Sequence, residues 1–445
     1  MKQGKGLLVA TVLLAALAGG VWWSNRAEAK KEKEPKPDTT PKLLAIPDDQ
    51  IAQLSLKRRD GDEVVLKKNA QNKWEMLQPK PYRVDADAVS GVVSTLGSLN
   101  ADEVVEEKAG NLNQYGLGNP AFVLTVTKKD GKTQQLLIGD DTPTGGNVYA
   151  KLGDQPRVVS LMSSTKSSLD KTAQDLRDKR LLTFDSDKLT RIELNAKKQS
   201  MEFGKNNQNE WQILKPKPLR ADGFQVDDLI RKLKDAKMDT SVSDEDAKKA
   251  ASGFASGTVV GVAKVTDNTG TQTLEVRKNK DDYYAKSSVV DGAYKVTADL
   301  GSGVDKGVDD FRNKKVFDFG FNDPSKIDVT RDGKTTSYAK TGNNWFAGTK
   351  PIESATLQGF VDKLRDLSAS KFVDTIPGGG ATAIDLTVTS NDGKRVEKVQ
   401  VTKAGTDYFA KRENEPSVYQ LDSKAAEEMI KAAGEIKEAQ PQSKK

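Results

Sequence analysis

The sequence predicts an α+β protein with three tandem repeats of an antiparallel-sheet-plus-helix unit behind an N-terminal transmembrane helix. Two observations lead to this prediction. A tryptophan in similar surroundings recurs at Trp74, Trp211 and Trp345, at intervals of 137 and 134 residues. Apolar residues at the spacing of one helix face follow each tryptophan. A period of this length is that of a whole domain rather than of a solenoid repeat.

The N-terminus joins an apolar segment to a polar linker. Residues 6–23 carry no charge and end in two tryptophans; as a helix they would extend about 27 Å, close to the hydrocarbon thickness of a bilayer. Residues 1–24 are therefore predicted to be a cytoplasmic stub and membrane anchor, and residues 25–45 a charged Pro/Lys/Glu linker. The alternative is a signal peptide cleaved after Ala29. Both place residues 46–445 on the periplasmic side of a bacterial inner membrane.

Each predicted repeat begins with a hairpin and a tryptophan-bearing strand. The hairpins at 51–68, 189–205 and 326–340 alternate apolar and polar residues, with Asp-Gly turns in the first and third. A proline-containing link then leads to an amphipathic helix. The apolar stripes of the three helices are Val89, Val92, Val93, Leu96 and Leu99; Val226, Leu229, Ile230, Leu233 and Ala236; and Leu357, Phe360, Val361, Leu364 and Leu367.

A second hairpin, two short strands and a helical tail complete each repeat. The resulting order is β-β-β-α-β-β-β-β-α, an arrangement in which helices cover one face of an antiparallel sheet. The segments "DLRDKRLLTF" (175–184) and "DFRNKKVFDF" (310–319) stand at the junctions and are interpreted as connectors. The predicted repeat units are 46–183, 184–316 and 317–438, followed by a tail at 439–445.

Composition narrows the classes of function. The chain has 70 basic and 64 acidic residues, interspersed to a net charge of +6, whereas a nucleic-acid-binding protein concentrates basic residues on one face. Histidine and cysteine are absent. Ser-His-Asp and Cys-His nucleophile pairs, tetrahedral zinc sites with Cys or His ligands and disulfides are therefore excluded. We expect no nucleic-acid partner, no cofactor, no metal site and no catalytic residue.

The repeated sequence "PKPxR" supplies the candidate binding residues. Lys80 with Arg83, and Lys217 with Arg220, would form two matched surfaces for an anionic glycan, a lipid headgroup or an acidic partner. The alternative is structural: the prolines hold an extended link, Asp85 and Asp222 cap the next helices, and Ser354 takes the cap role in the third repeat. The structural interpretation is favoured, because the third copy keeps the link and loses the arginine.

Two further patterns are better explained by local structure. The glycines and acids of "GDDTPTGGN" (139–147) lack the ending of a phosphate-binding loop and the carboxylate spacing of a calcium loop. The paired carboxylates Asp140/Asp141 and Asp281/Asp282 would point to opposite faces of a strand. We therefore expect residues 139–147 to form a hairpin connection. We do not expect either pair of carboxylates to act together in catalysis.

The motifs "KWEMLQPKPYRVDADAVSGVVSTLGSL", "YGLGNPAFVLTV", "IGDDTPTGGNVYAKLGDQPRVVSL" and "DLRDKRLL" resemble a bacterial family of membrane-anchored envelope proteins, classed as a domain of unknown function. The resemblance covers nearly all of residues 46–440 and is strongest in the first repeat. Members tend to be encoded beside gliding-motility-type ABC transporter components. The resemblance therefore implies envelope proteins or transporter components as partners, and it assigns no catalytic or ligand residue.

The expected function is that of a non-enzymatic, membrane-anchored, extracytoplasmic binding or scaffold protein, accessory to an ABC transporter-linked envelope assembly. Two alternatives remain open at this point. One is a carboxylate-dependent hydrolase of envelope glycan or peptidoglycan, which needs two convergent carboxylates. The other is a solute-binding receptor, which needs a pocket between domains.

Overall fold

The computed structural model describes residues 41–239, 244–413 and 415–440. The predicted anchor at 1–24 and most of the predicted linker lie outside these residues. Within the described part of the chain, no helix has the length and apolar character needed to cross a membrane.

The α+β prediction is confirmed, with three large antiparallel sheets of eight, eight and nine strands plus helices. Each sheet has its own hydrophobic core. The chain divides into two compact units, Met1–Asp178 and Lys179–Lys445, the second of which contains two sheets. The exact repeat boundaries 46–183, 184–316 and 317–438 stay a prediction.

The first unit contains one large sheet and a two-stranded sheet formed by its first and fifth strands. The strand order of the large sheet is β4-β3-β2-β7-β8-β9-β10-β6. Its elements are β1 (Lys42–Leu44), β2 (Ile51–Arg58), β3 (Glu63–Lys68), β4 (Trp74–Gln78), α1 (Ala86–Gly97), β5 (Leu99–Asn100), β6 (Glu103–Glu106), β7 (Phe122–Lys128), β8 (Thr133–Asp141), β9 (Asn147–Leu152), β10 (Val158–Met162), α2 (Ser163–Leu169) and α3 (Ala173–Leu176).

The second sheet has the order β14-β13-β12-β11-β15-β16-β17-β18. It differs from the sequence-based expectation by a short strand, β14 (Leu219–Arg220), before the first helix and by a helix, α5 (Asp244–Ser256), before the second hairpin. Its elements are β11 (Arg191–Ala196), β12 (Gln199–Lys205), β13 (Trp211–Lys215), β14 (Leu219–Arg220), α4 (Gly223–Lys234), α5 (Asp244–Ser256), β15 (Thr258–Asp267), β16 (Gly270–Asn279), β17 (Asp282–Ser287), β18 (Tyr294–Val296), α6 (Ala298–Val304) and α7 (Val308–Phe311).

The third sheet has the order β22-β21-β20-β19-β24-β25-β26-β27-β23. Seven of its strands follow the same order as seven strands of each other sheet. Its elements are β19 (Lys326–Arg331), β20 (Lys334–Thr341), β21 (Asn344–Ala347), β22 (Lys350–Ile352), α8 (Ser354–Asp366), β23 (Ala369–Val373), β24 (Ala381–Ser390), β25 (Arg395–Ala404), β26 (Asp407–Arg412), β27 (Val418–Leu421) and α9 (Ser423–Gly434).

The predicted apolar stripes form the contact between helix and sheet. Fourteen of the fifteen stripe residues are buried, and Ile230 is partly buried. The last residue of each stripe lies just beyond the end of its helix and still packs in the core. Since burial of an apolar side chain stabilises the fold by about 1.5–3 kcal/mol, these stripes anchor each helix to its sheet.

The first turns of the three helices are capped differently. Asp85 accepts hydrogen bonds from the backbone N–H groups of Asp87 and Ala88, and Asp222 caps α4 in the same way, as predicted. The prediction for Ser354 is wrong. Ser354 is the first helical residue of α8, and the preceding Glu353 makes no side-chain cap.

Each repeat closes when the segment after its last helix pairs with its own proline-containing link. The backbone bridges are Val84 with Arg177, Ala221 with Arg312, and Ile352 with Glu438. The junction segments thereby leave one core and enter the next: Leu176 lies in the first core and Leu181 in the second, while Phe311 lies in the second and Val316 in the third.

Candidate functional site

The basic residues of the two "PKPxR" segments fall into two classes. Lys80 and Lys217 are exposed on the links, which contain the cis peptide bonds Gln78–Pro79 and Lys215–Pro216. The side chains of Arg83 and Arg220 instead form ion pairs with residues that are distant in the sequence. The Nε of Arg83 lies 2.8 Å from a carboxylate oxygen of Asp178, whose side chain is buried.

Arg220 lies at the centre of a polar network between the second and third sheets. Its side chain is 12% exposed and forms an ion pair with Asp318. Its second terminal nitrogen donates to the hydroxyl of Tyr419, at 2.9 Å, and to the carbonyl of Lys315. Its Nε lies 2.8 Å from a carboxylate oxygen of Glu415; the two groups form an ion pair, but the angle is not that of a hydrogen bond. The guanidinium is thus surrounded by groups of the third repeat.

A second arginine extends the network under the third sheet. Arg412 lies 3.0 Å from Glu397 and 2.7 Å from Glu415, and it also donates to the carbonyl of Val316. The backbone N–H of Asp318 donates to Glu397 at 2.8 Å. Each buried carboxylate of the network therefore has a positive or N–H partner, as burial of charge requires.

A further ion pair at the edge of the network joins Arg395 of β25 to Glu210, which precedes β13. It adds a second charged link between the two sheets of the second unit.

The electrostatics of the network follow from burial and pairing. Burial opposes the charge of Arg220, but Asp318, Tyr419 and Glu415 outweigh it and raise the pKa of the guanidinium. Burial, assisted by Glu415, raises the pKa of the Tyr419 hydroxyl to about 12, although Arg220 acts in the opposite direction. Burial also raises the pKa of Glu397, against the opposing effect of Arg412.

In the third copy of the motif, Pro351 occupies the position of Arg220, as the backbone bridges of Ala221 and Ile352 show. The anionic-partner surface of Lys80, Arg83, Lys217 and Arg220 stays a prediction, and the contacts of the two arginines support the structural alternative.

The three tryptophans share one arrangement. In each hairpin a lysine is the cross-strand neighbour of the tryptophan, and its ammonium lies over the indole at 5.0, 4.9 and 5.9 Å. Such cation–π contacts contribute about 0.5–1 kcal/mol at exposed sites. The pairs are Lys68 with Trp74, Lys205 with Trp211, and Lys340 with Trp345. The three tryptophans therefore occupy the same position in the three hairpins.

A cleft of about 360 Å³ lies beside Trp211, at the edge of the Arg220 network. Trp211 and Gln212 come from the start of β13, Glu210 directly precedes that strand, and Asp227 comes from α4. Asn313 and Asp318 come from the connector to the third repeat. Sequence reasoning missed this cleft, because the residues on its two sides lie about a hundred positions apart.

A more open groove of about 720 Å³ lies on the face of the third sheet away from its helices. Charged and polar side chains of β24, β25 and β26 alternate there with core residues. Lys398 pairs with Glu413 at 3.0 Å, and Gln400 donates to Asp385 at 3.0 Å. This mixed, internally paired surface resembles the polar rim of a protein–protein contact more than a small-molecule pocket.

The remaining candidate motifs have local explanations. Gly139 of "GDDTPTGGN" lies against the "YGLGNP" loop, where a Cβ would come within 2.0 Å of the carbonyl oxygen of Tyr115. Asp140 and Asp141 are exposed, and Asp282 pairs with Lys295 at 2.9 Å. Within the described residues, no group of three or more Asp or Glu side chains is placed to hold a metal ion.

The structure also reveals a covered aromatic position that sequence reasoning missed. Tyr149, Tyr284 and Phe409 follow the first residue of the "VYAK", "YYAK" and "YFAK" strands. Tyr149 packs edge-on against Tyr115, with ring centroids 4.9 Å apart, and Tyr284 packs against Gly253 of α5. Phe409 is only 1% exposed. The sequence signal is the aromatic residue that recurs at this position. In the first two repeats it packs against the segment between the first helix and the second hairpin, which is the segment that differs most between repeats.

Comparison with known families supports the repeat. The family model described as Domain of unknown function (DUF4340) matches the chain twice, over residues 74–218 and 211–386. The two matches begin at Trp74 and Trp211, and together they span more than half of the chain. No curated protein and no solved structure matches it.

Proposed function

The chain belongs to the family of the domain of unknown function DUF4340, and we propose that it is a non-enzymatic binding or scaffold protein of the cell envelope. In this proposal residues 1–24 anchor it in the inner membrane, and the three sheets lie on the periplasmic side. Its partners are membrane proteins of the envelope, in the first place components of an ABC transporter. The anchor rests on the apolar run at 6–23, and the transporter on the resemblance described above.

The Arg220 network is the observation that supports a scaffold role most directly. Through Asp318, Tyr419 and Glu415 it holds two complete sheets in one compact unit. Removing one partner of such a buried pair costs about 3–5 kcal/mol, so the network favours one arrangement of the two sheets over others. A fixed pair of sheets presents several surfaces in constant register, which suits a protein that organises partners.

The hydrolase alternative receives less support. Its general acid needs a carboxyl with a raised pKa beside an accessible cleft. Glu397 has a raised pKa, but its side chain is 3% exposed and is held by Arg412 and the backbone of Asp318. In the Trp211 cleft, Asp318 is paired with Arg220, and Glu210 with Arg395. These carboxylates have structural partners.

Site-specific crosslinking in native membranes tests the scaffold proposal. A photoreactive amino acid at Phe321, which is 97% exposed, would report on neighbours of the second unit, and one at Phe203, buried in the second core, is the matched control. We expect discrete adducts with envelope or transporter proteins from the first position and none from the second. If no exposed position across the three sheets yields such an adduct, the scaffold proposal is rejected.

A further inference from the structure

We propose that the cleft beside Trp211 binds one sugar ring of an uncharged or amine-bearing glycan. This inference goes beyond the scaffold role and does not depend on which proteins the chain contacts. It rests on the shape of the cleft, on the groups that line it and on the differences among the three tryptophans.

The lining combines one aromatic ring with planar polar groups. Trp211 supplies the apolar surface, while Glu210, Gln212, Asn313 and Asp318 supply carboxylate and amide groups. The C–H face of a pyranose packs against an aromatic ring, and its hydroxyls exchange hydrogen bonds with carboxylates and amides. A volume of about 360 Å³ lies at the lower end of the range for small-molecule sites and suits one ring.

The binding groups are held in place before any ligand arrives. The indole Nε1 of Trp211 donates to Asp227 at 2.8 Å, which fixes the orientation of the ring. The side-chain amide of Asn313 donates to Asp318 at 2.8 Å, and Arg220 holds the same carboxylate. Fixed side chains lose little conformational freedom on binding, so this arrangement favours affinity.

The other two tryptophans lack these features. Trp345 is 3% exposed and offers no free face. At the first tryptophan, Lys73 and Ser90 occupy the positions that Glu210 and Asp227 have relative to Trp211. Trp74 therefore serves as a matched control with the same lysine contact and without the two carboxylates.

An exposed aromatic residue stands next to the cleft. Phe224 is 88% exposed and follows Gly223, a lining residue whose added Cβ would lie 3.7 Å from the Trp211 ring. Phe224 therefore lies one residue from the lining, where its substitution would report on a glycan longer than one ring.

The charges of the cleft favour neutral and amine-bearing sugars. Glu210, Asp227 and Asp318 face Lys205 and Arg220, while Arg395 pairs with Glu210 beside the cleft and Arg220 pairs with Asp318 and Glu415. Both guanidinium groups are thus already engaged, and an acidic glycan would compete with the protein's own carboxylates for them. Lys205 is exposed, and its ammonium lies over the Trp211 indole at 4.9 Å.

Calorimetric titration of the full chain with three soluble tetramers tests the proposal: one of N-acetylglucosamine, one of glucosamine and one of galacturonic acid. We expect binding of the neutral or the amine-bearing tetramer and none of the acidic one. Trp211→Ala should lower the affinity at least tenfold, and Trp74→Ala should leave it unchanged.

Asp227→Asn is the second variant, because it keeps an acceptor for the indole and removes one carboxylate. We expect it to fold like the parent and to bind at least threefold more weakly. The proposal is overturned by preference for the acidic tetramer, by absence of heat with all three at about 10 mM, or by affinities that neither variant changes. Crosslinking to envelope proteins in the Trp211→Ala variant would separate failure of this site from failure of the scaffold role.

Discussion

Arg220 and Asp318, which lie 98 positions apart in the sequence, form an ion pair that joins the second sheet to the third. Arg220 is one of the four residues that the sequence suggested as a basic binding surface. Its burial and its four partners instead connect the two sheets. A basic residue repeated in sequence can thus have a structural role that only its partners reveal.

Replacement of Arg220 tests this connection. Arg220→Ala removes a buried cation from Asp318 and Glu415, which keep Asn313 and Arg412 as partners. We therefore expect the second unit to lose about 3 kcal/mol of unfolding free energy, the lower end of the range for breaking a buried ion pair. Lys217→Ala, three residues away on the exposed link, should change it by less than about 0.5 kcal/mol. Urea denaturation measures both. Equal stability of the two variants would contradict the proposed role of Arg220.

Tyr419 makes stability sensitive to alkaline pH. Burial raises the pKa of Tyr419 from its ordinary 10.0 to about 12, so the folded protein keeps a proton that the unfolded chain releases. The protonated Tyr419 hydroxyl contributes its full share to the free energy of unfolding below about pH 10. This share, about 3 kcal/mol, is lost as the pH rises to about 12. Tyr419→Phe should lack this part of the decline. Urea denaturation between pH 9 and 12 gives the unfolding free energy of the parent and of Tyr419→Phe. If the two free energies fall in parallel as the pH rises, the prediction is wrong.

Asp267 makes the stability of the fold sensitive to acidic pH. The Thr269 hydroxyl, the Asp185 backbone N–H and the Thr269 backbone N–H donate to it and lower its pKa to about 2. Its stabilising contribution is therefore present above about pH 4 and is lost as pH falls towards 2. Asp267→Asn should lower the melting temperature at pH 7 by more than it does at pH 2. A constant difference would show that this carboxylate does not titrate as described.

The helix caps provide a matched set of variants. Asp85→Ala and Asp222→Ala each remove an acceptor of backbone N–H groups and should cost about 1 kcal/mol. Ser354→Ala removes no cap, because α8 begins at Ser354 and lacks a side-chain cap. We expect it to change stability by only a few tenths of a kcal/mol. Chemical denaturation that ranks Ser354→Ala with the two aspartate variants would contradict the cap assignment.

Two glycines should respond to alanine in opposite ways. Gly91 lies inside α1 with nothing within 4 Å of an added Cβ, so Gly91→Ala should stabilise the first unit by about 0.5–1 kcal/mol. At Gly139 the Cβ would meet the Tyr115 carbonyl, and Gly139→Ala should cost about 1–3 kcal/mol. The midpoint of thermal unfolding should rise for the first variant and fall for the second. A rise for both would show that the "YGLGNP" loop moves aside freely.

The sheets and their helices were predictable because they depend on local patterns. Alternation in the hairpins and the i, i+3, i+4, i+7 stripes, such as Val89 to Leu96, report burial along single elements. Helix α5 was not predicted. It lies where the three repeats differ most, and it covers Tyr284, so its partner is a distant strand rather than a neighbour in sequence.

The candidate site was predictable only in part. The sequence marked Trp211 as a recurring position and Arg220 as a candidate for a basic surface. It did not bring Asn313 and Asp318 to the same cleft, because these residues belong to a connector that pairs back onto the link before α4. Ser354 illustrates the same limit on a smaller scale, since a one-residue shift of the helix start decides whether a hydroxyl caps it.

The sequence by itself determined the α+β class, the recurrence of the unit and the core face of each helix, since hydrophobic periodicity acts within one element. It also excluded histidine and cysteine chemistry by composition. Only the tertiary structure decided that Arg220 is a buried partner of Asp318 and that a cleft opens beside Trp211. Charge pairing and cleft shape depend on which distant segments meet, and those meetings are set by the packing of whole sheets.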